Sequence, residues 1–326
     1  MSELRWHPFL EEWVVTATHR QDRTFLPPAN YCPLCPTSPG GFPTEVPRDA
    51  YEFVVFDNRF PSFREHPEAP AVLERPLYPV KPATGACEVV LYTPEHNSTL
   101  AARSVRELVR LVRVWRDRYL ELSARPDIEY VFIFENKGEA IGVTLHHPHG
   151  QIYAFPYIPP KIGRELDAAR AHHAQTGRCL HCEVIQEECD DGRRLVAENQ
   201  HFVALIPFYA RYPYELHLYA RDHLESLADF TPQHDLAFAQ ILQIVLRKYD
   251  ALWERSMPYM MVIHQRPSKR TQDPGSHFHV EFYPPLRTPE KLKYLAGCES
   301  GAGTFINDTL PEAKAAELRA LEVVSE

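Results

Sequence analysis

Apolar positions recur at three- and four-residue spacing in two stretches of the chain. One is LVRLVRVWRDRYLEL within 104–124, the other LAFAQILQIVLRKYDALW within 231–256. That is the period of a helix with one buried face. Each stretch carries its own start signal. Ser104 and Glu107 form a capping box, and Thr231 followed by Pro232 supplies an N-cap and a proline at the first helical position. Ahead of each helix lies a strand-like apolar run, EVVLYTPEHNSTL (88–100) and YELHLYARDHLESL (214–227). The runs end at His96 and His223, and both continue as His-x-x-x-Leu. A further strand is expected behind each helix, EYVFIFENKG (129–138) and PYMMVIHQRP (258–267). Each series closes on a His-x-His pair, His147/His149 and His277/His279. The chain therefore repeats itself, and such self-similarity sets the architecture before any motif is weighed. The expectation is an α+β protein of two tandem units, 1–160 and 161–326, each an antiparallel sheet with a packed helix. A crossing loop and a short helix are expected near 155–175.

Less periodic segments complete this picture. The acidic run Glu187-Glu188-Cys189-Asp190-Asp191-Gly192 is expected as a hairpin turn, and the tail after Leu310 as a surface helix. Arg103, Arg106, Arg110, Arg113, Arg116 and Arg118 are expected to form a solvated helix face. The 326 residues are 44% hydrophobic and 24% charged, which excludes wholesale disorder. A formal charge of −9 argues against a protein that coats nucleic acid. No apolar run approaches the roughly 20 residues of a membrane helix, and the N-terminus lacks a secretory pattern. No nucleic-acid or membrane partner is expected, and a cytoplasmic location is.

Cysteine and histidine change the picture. Four of the seven cysteines form two CxxC pairs, Cys32/Cys35 and Cys179/Cys182, one ahead of each repeat. A CxxC turn puts two thiolates on one side of an ion, and two histidines from distant segments complete a zinc tetrahedron. The first set is Cys32, Cys35, His96 and His147. The second is Cys179, Cys182, His223 and His277, with His181 and Cys189 close by and a competing set in Glu165, His264, His279 and Glu281. These sites use up their ligands, so they read as structural.

In His147-Pro148-His149-Gly150-Gln151 alternate residues share a strand face. His149 and Gln151 then stand beside the metal ligand His147. A neutral imidazole whose second nitrogen is held by an acceptor is a competent nucleophile toward phosphorus. The turn-prone GEAIGVTL (138–145) brings backbone N–H groups, Gly142 and the Thr144 hydroxyl near a phosphate, and Gln151 donates to a non-bridging oxygen. A further metal ligand or a structural histidine is the alternative for His149.

CPLC (32–35), TPEH ending at His96, FENKG (134–138) and HPHGQ (147–151) resemble the galactose-1-phosphate uridylyltransferase family, the nucleotidyltransferase branch of the histidine-triad superfamily. The likeness continues through FYPPL (282–286), Lys293, Glu299 and FIND (305–308). It implies two tandem histidine-triad-like units, a homodimer with sites at the subunit interface, and zinc. It also implies a ping-pong reaction in which a histidine takes UMP from UDP-glucose and passes it to galactose 1-phosphate. By motif position His149 is similar to that nucleophile, Gln151 to the phosphoryl-contacting glutamine, and Arg20 and Arg23 to phosphate-binding arginines. Asn58 and Asn136 match nucleotide contacts, and Lys293 and Glu299 fall where a hexose-phosphate site is expected. Thr144 replaces a serine, Glu281 stands where some members have a third histidine of a second metal site, and Cys298 replaces a tyrosine. The Cys179/Cys182/His223/His277 set instead resembles a second zinc site in a plant branch that transfers adenylyl groups from ADP-glucose to phosphate. A sugar-nucleotide phosphorylase and a non-catalytic, zinc-stabilised nucleotide-binding protein are the alternative functions.

Overall fold

The computed structural model describes residues 2–22 and 31–326. The strands are β1 (Ser2–His7), β2 (Glu12–Ala17), β3 (Val54–Asp57), β4 (Val80–Pro82), β5 (Ala86–Leu91), β6 (Tyr130–Lys137), β7 (His149–Phe155), β8 (Leu195–Glu198), β9 (Phe202–Leu205), β10 (Leu216–Ala220), β11 (Tyr259–His264), β12 (His279–Tyr283), β13 (Leu286–Thr288) and β14 (Lys291–Leu292). The helices are α1 (Val105–Ser123), α2 (Pro160–Thr176), α3 (Leu180–Asp191), α4 (Pro232–Ala251) and α5 (Pro311–Arg319). None is long and apolar enough to cross a membrane.

The two expected sheets are fused. Nine strands run in the order β3-β5-β7-β6-β11-β12-β10-β9-β8, every pair antiparallel. The seam is β6 against β11, with Phe134 opposite Val262. An edge strand left alone would expose its ladder groups, and here the edge of each repeat satisfies the other. β1, β2 and β4 form a separate three-stranded sheet.

Helices α1 and α4 cover one face. Leu108, Leu111, Trp115 and Tyr119 from α1, and Phe238, Ile241, Leu242 and Val245 from α4, share one core with Val131, Ile133 and Val280 of the sheet. Both start signals are realised: Ser104 Oγ accepts from Glu107 N–H, and Thr231 Oγ1 from His234 N–H.

Three expectations change. The run Glu187–Gly192 is no hairpin turn. It is the end of α3, whose Ile185 and Glu188 are buried and whose cap Gly192 takes a left-handed φ of 69°. Asp-Gly signals a left-handed residue, and a helix stop uses it as well as a hairpin does. α2 is a full helix of 17 residues, begun by Pro160 and ended by Gly177 at φ 72°. The arginine face is not solvated as a whole. Arg116 forks onto both oxygens of buried Asp235 at 3.0 Å, Arg118 pairs with buried Glu88, and Arg103 reaches Thr93 and Glu95. Buried carboxylates need such partners, so these arginines tie α1 to its surroundings. Arg106 and Arg113 stay exposed.

Candidate active site and metal centres

His96 and His223 lie just beyond the ends of β5 and β10, and His147 and His277 just before β7 and β12. The strand ends therefore gather four ligands twice. In the first cluster one ligand atom from each of Cys32, Cys35, His96 and His147 lies within 4.8 Å of all the others. Cys35 Sγ is 3.4 Å from His96 Nδ1 and 3.5 Å from His147 Nδ1. A tetrahedron with ordinary Zn–S and Zn–N bonds has an S···N edge of roughly 3.5 Å, so the donor set fits zinc. His147 is fully buried, and its Nε2–H donates to Thr93 O at 2.8 Å, leaving Nδ1 as the ligating nitrogen. Tyr51 donates to the same carbonyl at 2.6 Å. Burial holds the His147 imidazole neutral, with its pKa lowered to about 4, and pushes the Cys35 thiol up to about 12 with Cys32 adding to the rise. A cation between them would reverse the cysteine's preference.

The second cluster repeats this geometry. One ligand atom from each of Cys179, Cys182, His223 and His277 again lies within 4.8 Å of the others. The S···Nδ1 distances are 3.6–3.8 Å, and His277 Nε2–H donates to Ala220 O at 2.8 Å. The competing set is arranged differently. Glu165, His264 and His279 lie close enough to share an ion. However, His264 Nδ1 faces Glu165 Oε2 at 2.7 Å and its Nε2 faces Glu281 Oε2 at 3.2 Å. Two carboxylates on two nitrogens call for two protons. Burial opposes that charge, and Glu281 and Glu165 overcome it, carrying the pKa to about 9. Lys161 also binds Glu281 Oε2. This set is thus tied into an ion-pair network, with both His264 nitrogens facing carboxylates.

His149 opens β7. Its Nδ1–H donates to His147 O at 2.8 Å, which leaves the lone pair on Nε2. Its ring lines a cleft of about 230 Å³ with Arg20, Asn58, Thr144 and Gln151. An adjoining space of about 320 Å³ adds Asn136 and Gly142. Thr144 Oγ1 is buried there without a hydrogen-bond partner among the described residues, as a donor awaiting a ligand oxygen would be. Arg20 is braced by Phe60 O, Ser62 Oγ and Tyr153 OH at 3.0–3.3 Å. Gly142 takes a left-handed φ of 79° that suits a tight turn near a ligand.

Arg23 lies outside the described residues. Lys293 and Glu299 are placed elsewhere: they pair with each other at 3.4 Å and line none of the cavities that His149 lines. Leu34, Phe56 and Val89 form an apolar wall of the cleft that motif reading missed. Alternation in FVVFDN was the available signal for Phe56. Tyr51 offered none.

A sequence model for the N-terminal domain of galactose-1-phosphate uridyl transferase matches residues 1–159, and one for its C-terminal domain matches 165–325. The chain belongs to the galactose-1-phosphate uridylyltransferase family. A galactose-1-phosphate uridylyltransferase of Thermotoga maritima is 40% identical over 324 residues, covering 99% of each chain. A solved uridylyltransferase superposes with a TM-score of 0.86 at 33% identity, covering 98% of this chain and 97% of the other. An ADP-glucose phosphorylase of Arabidopsis thaliana, solved with ADP-glucose, gives 0.74 at 23% identity over 99% and 100% of the two chains, a likeness of fold. As a uridylyltransferase family member the chain is a transferase, and the matched span contains both Cys/His clusters and the His149 cleft.

Proposed function

We propose that the chain moves UMP from UDP-glucose to galactose 1-phosphate through a uridylyl group carried on His149. One observation carries this reading. His149 has its Nδ1 proton fixed on a backbone carbonyl, and it lines the cleft that holds Gln151 and a buried Thr144 hydroxyl with no hydrogen-bond partner among the described residues.

The Nε2 lone pair attacks the α-phosphorus, and the bond to the bridging oxygen breaks with its electrons leaving on glucose 1-phosphate. The ring gains positive charge as the N–P bond forms. The His147 carbonyl, already accepting from Nδ1–H, stabilises that charge without moving. Gln151, Thr144 and Arg20 meet charge growing on the non-bridging oxygens. A phosphate oxygen of galactose 1-phosphate then attacks the same phosphorus, the P–N bond breaks, and the lone pair returns to Nε2. Two inversions give net retention. Leu34, Phe56 and Val89 suit the flat face of a base, and Asn58 and Asn136 its polar edges or the ribose.

Zinc in the first cluster, on Cys32, Cys35, His96 and His147, would supply a rigid anchor for the segment that presents His149. Zinc in the second, on Cys179, Cys182, His223 and His277, would stiffen the far end of the sheet. Two units, 1–160 and 161–326, would then divide the labour between chemistry and support. Lys293 and Glu299 stand apart from the His149 cleft, which suits a homodimer in which one subunit completes the hexose site of the other.

The completed second Cys/His cluster favours one further reading, ADP-glucose phosphorolysis on the same scaffold. Intact mass after incubation with UDP-glucose or ADP-glucose separates them. A uridylyl-sized adduct on the wild type, absent in His149→Ala, is expected. An adduct with ADP-glucose alone would transfer the proposal to phosphorolysis, and none with either would overturn both.

A further inference from the structure

Gly150 lies between the two residues that act on phosphorus, and its environment is unusually tight. A Cβ there would stand 2.0 Å from Tyr92 Oη and 3.2 Å from Phe134 O. The Tyr92 hydroxyl therefore touches the backbone that joins His149 to Gln151. Across the sheet Phe134 pairs with Gln151, so the next step of that ladder sets Glu135 against Gly150. Glu135 is 3% exposed and Tyr92 2%. Neither Tyr92 Oη nor Glu135 Oε2 makes a regular hydrogen bond to a described residue. Glu135 Oε1 accepts from Tyr259 OH at 3.3 Å, across the β6–β11 seam. Lys137, the nearest cation on the same strand, is drawn off to Asp250 at 3.0 Å.

A buried carboxyl without a cation costs free energy if ionised. Burial, opposed by Lys137 and the two phenols, raises Glu135 to about 7, and burial with the neighbouring carboxyl lifts the Tyr92 phenol well above its usual range. The backbone they meet is the one whose height and tilt aim His149 Nε2 and Gln151.

We propose that Glu135, acting with Tyr92, is a positioning residue for uridylyl transfer: the pair forms the floor under Gly150 that sets the His149–Gln151 backbone. Glu135 touches neither nucleotide nor sugar in this role. It fixes the line of attack, where a displacement of about 1 Å can cost on the order of 100-fold in rate. The inference rests on the reading of His149 as the nucleophile.

The test is a single-turnover reaction with UDP-glucose, following uridylyl-enzyme formation by rapid-quench mass measurement, with UDP-glucose affinity and zinc content measured alongside. Glu135→Gln keeps the shape and the polar end and is expected to react within threefold of wild type. Glu135→Leu and Tyr92→Phe are each expected to react about 10- to 100-fold more slowly, with affinity within threefold and zinc unchanged. The double variant should be no slower than the worse single one, because the two act as a unit. Glu135→Leu at the wild-type rate would overturn the proposal. So would a loss seen in affinity instead of rate, or Glu135→Gln as slow as Glu135→Leu. Absence of transfer by the wild type would overturn the functional reading itself, and this inference with it.

Discussion

The molecule makes the same histidine motif twice and uses it differently. His149 and His279 each donate Nδ1–H to the carbonyl two residues earlier at 2.8 Å, and each follows a metal-cluster histidine whose Nε2–H is bound to a backbone carbonyl at 2.8 Å. One opens on a cleft with Arg20, Thr144 and Gln151. The other is sealed. The His264 ring stands 4.5 Å from His279, and His181 and Tyr219 stand 5.1 Å away. Burial, with His264 adding to it, holds His279 neutral well below the ordinary histidine range. Two residues on, the first motif has Gln151 and the second Glu281, which Lys161 and His264 engage. Tautomer control is thus a property of the backbone turn and is common to both. Reactivity depends on what faces Nε2, and only the first repeat leaves room for a phosphate.

The sharpest way to break this comparison is to exchange its two histidines for smaller residues. His149→Gly should lower transfer by at least about 10⁴-fold while the melting temperature and metal content stay near wild type. His279→Ala should do the reverse, keeping transfer while lowering stability by roughly 2–4 kcal/mol, the cost of emptying a packed site. Intact mass after UDP-glucose, beside a thermal melt, reads both. Loss of the adduct in a still-folded His279→Ala protein would mean that the second repeat takes part in chemistry.

The metal clusters come next. Cys35→Ser should cost one metal per chain, several kcal/mol of stability and most of the transfer, because the same ion would hold His147 and so His149. Cys182→Ser should cost the other metal but leave transfer within about threefold. The second cluster is the more open, with His223 exposed, so a chelator should strip it first. Metal analysis against time, with activity on the same samples, tests this. Activity that follows the second metal would reverse the assignment of roles.

Much of this contrast was legible in the residues. CxxC, His and His-x-His recur in order, and strand ends bring them together because antiparallel neighbours return to the same edge. Gln151 followed from alternation around His149, and Thr144 from the turn-prone loop ahead of it. What sequence could not fix was which surfaces meet. The fusion at β6–β11 joins edges far apart in the chain, and no local period encodes it. Asp191-Gly192 signalled a left-handed residue but not whether a helix or a strand preceded it. Arg116 and Arg118 read as solvent-facing because Asp235 and Glu88, their buried partners, come from distant segments. Lys293 and Glu299 were expected by resemblance at the site, and a single chain does not bring them there. Glu135 lay in plain view within FENKG, yet no local pattern told that it and Tyr92 would meet at Gly150.

Gln151 and Glu281 allow a narrower exchange. Gln151→Ala should slow transfer about 100-fold with a smaller change in UDP-glucose affinity, since its donor is drawn to charge that grows in the transition state. Glu281→Gln should leave transfer within threefold and cost roughly 2–3 kcal/mol, because His264 and Lys161 lose a buried counter-charge. Steady-state kinetics and denaturant melts on both variants separate the roles. An equal loss of affinity and rate in Gln151→Ala would reduce Gln151 to a binding contact.

The smallest expected effect is a difference in how the two repeats respond to pH. His264 sits between Glu165 and Glu281, with Lys161 also on Glu281 and the tilted ring of His279 beside it. Its pKa is carried to about 9 in the folded chain, above an ordinary value of 6.5. A raised pKa means that the folded state holds the proton more tightly. The stabilisation is therefore complete below about pH 6.5 and is lost as pH rises through about 9. Glu165 and Glu281 are held below the ordinary carboxylate range, opposed by burial and favoured by His264, so their contribution is lost instead on acidification below about pH 4.5. The network should thus be strongest between those limits, and its alkaline loss should amount to on the order of 2 kcal/mol. Melting temperatures from pH 6 to 9.5 should fall for the wild type and fall less for Glu281→Gln, which has already lost one of the two charges that hold the proton. Parallel slopes would show that His264 is neutral in the folded protein. The Glu165/His264/His279 set would then regain the lone pair it needs to bind a metal beside the Cys/His cluster of the second repeat.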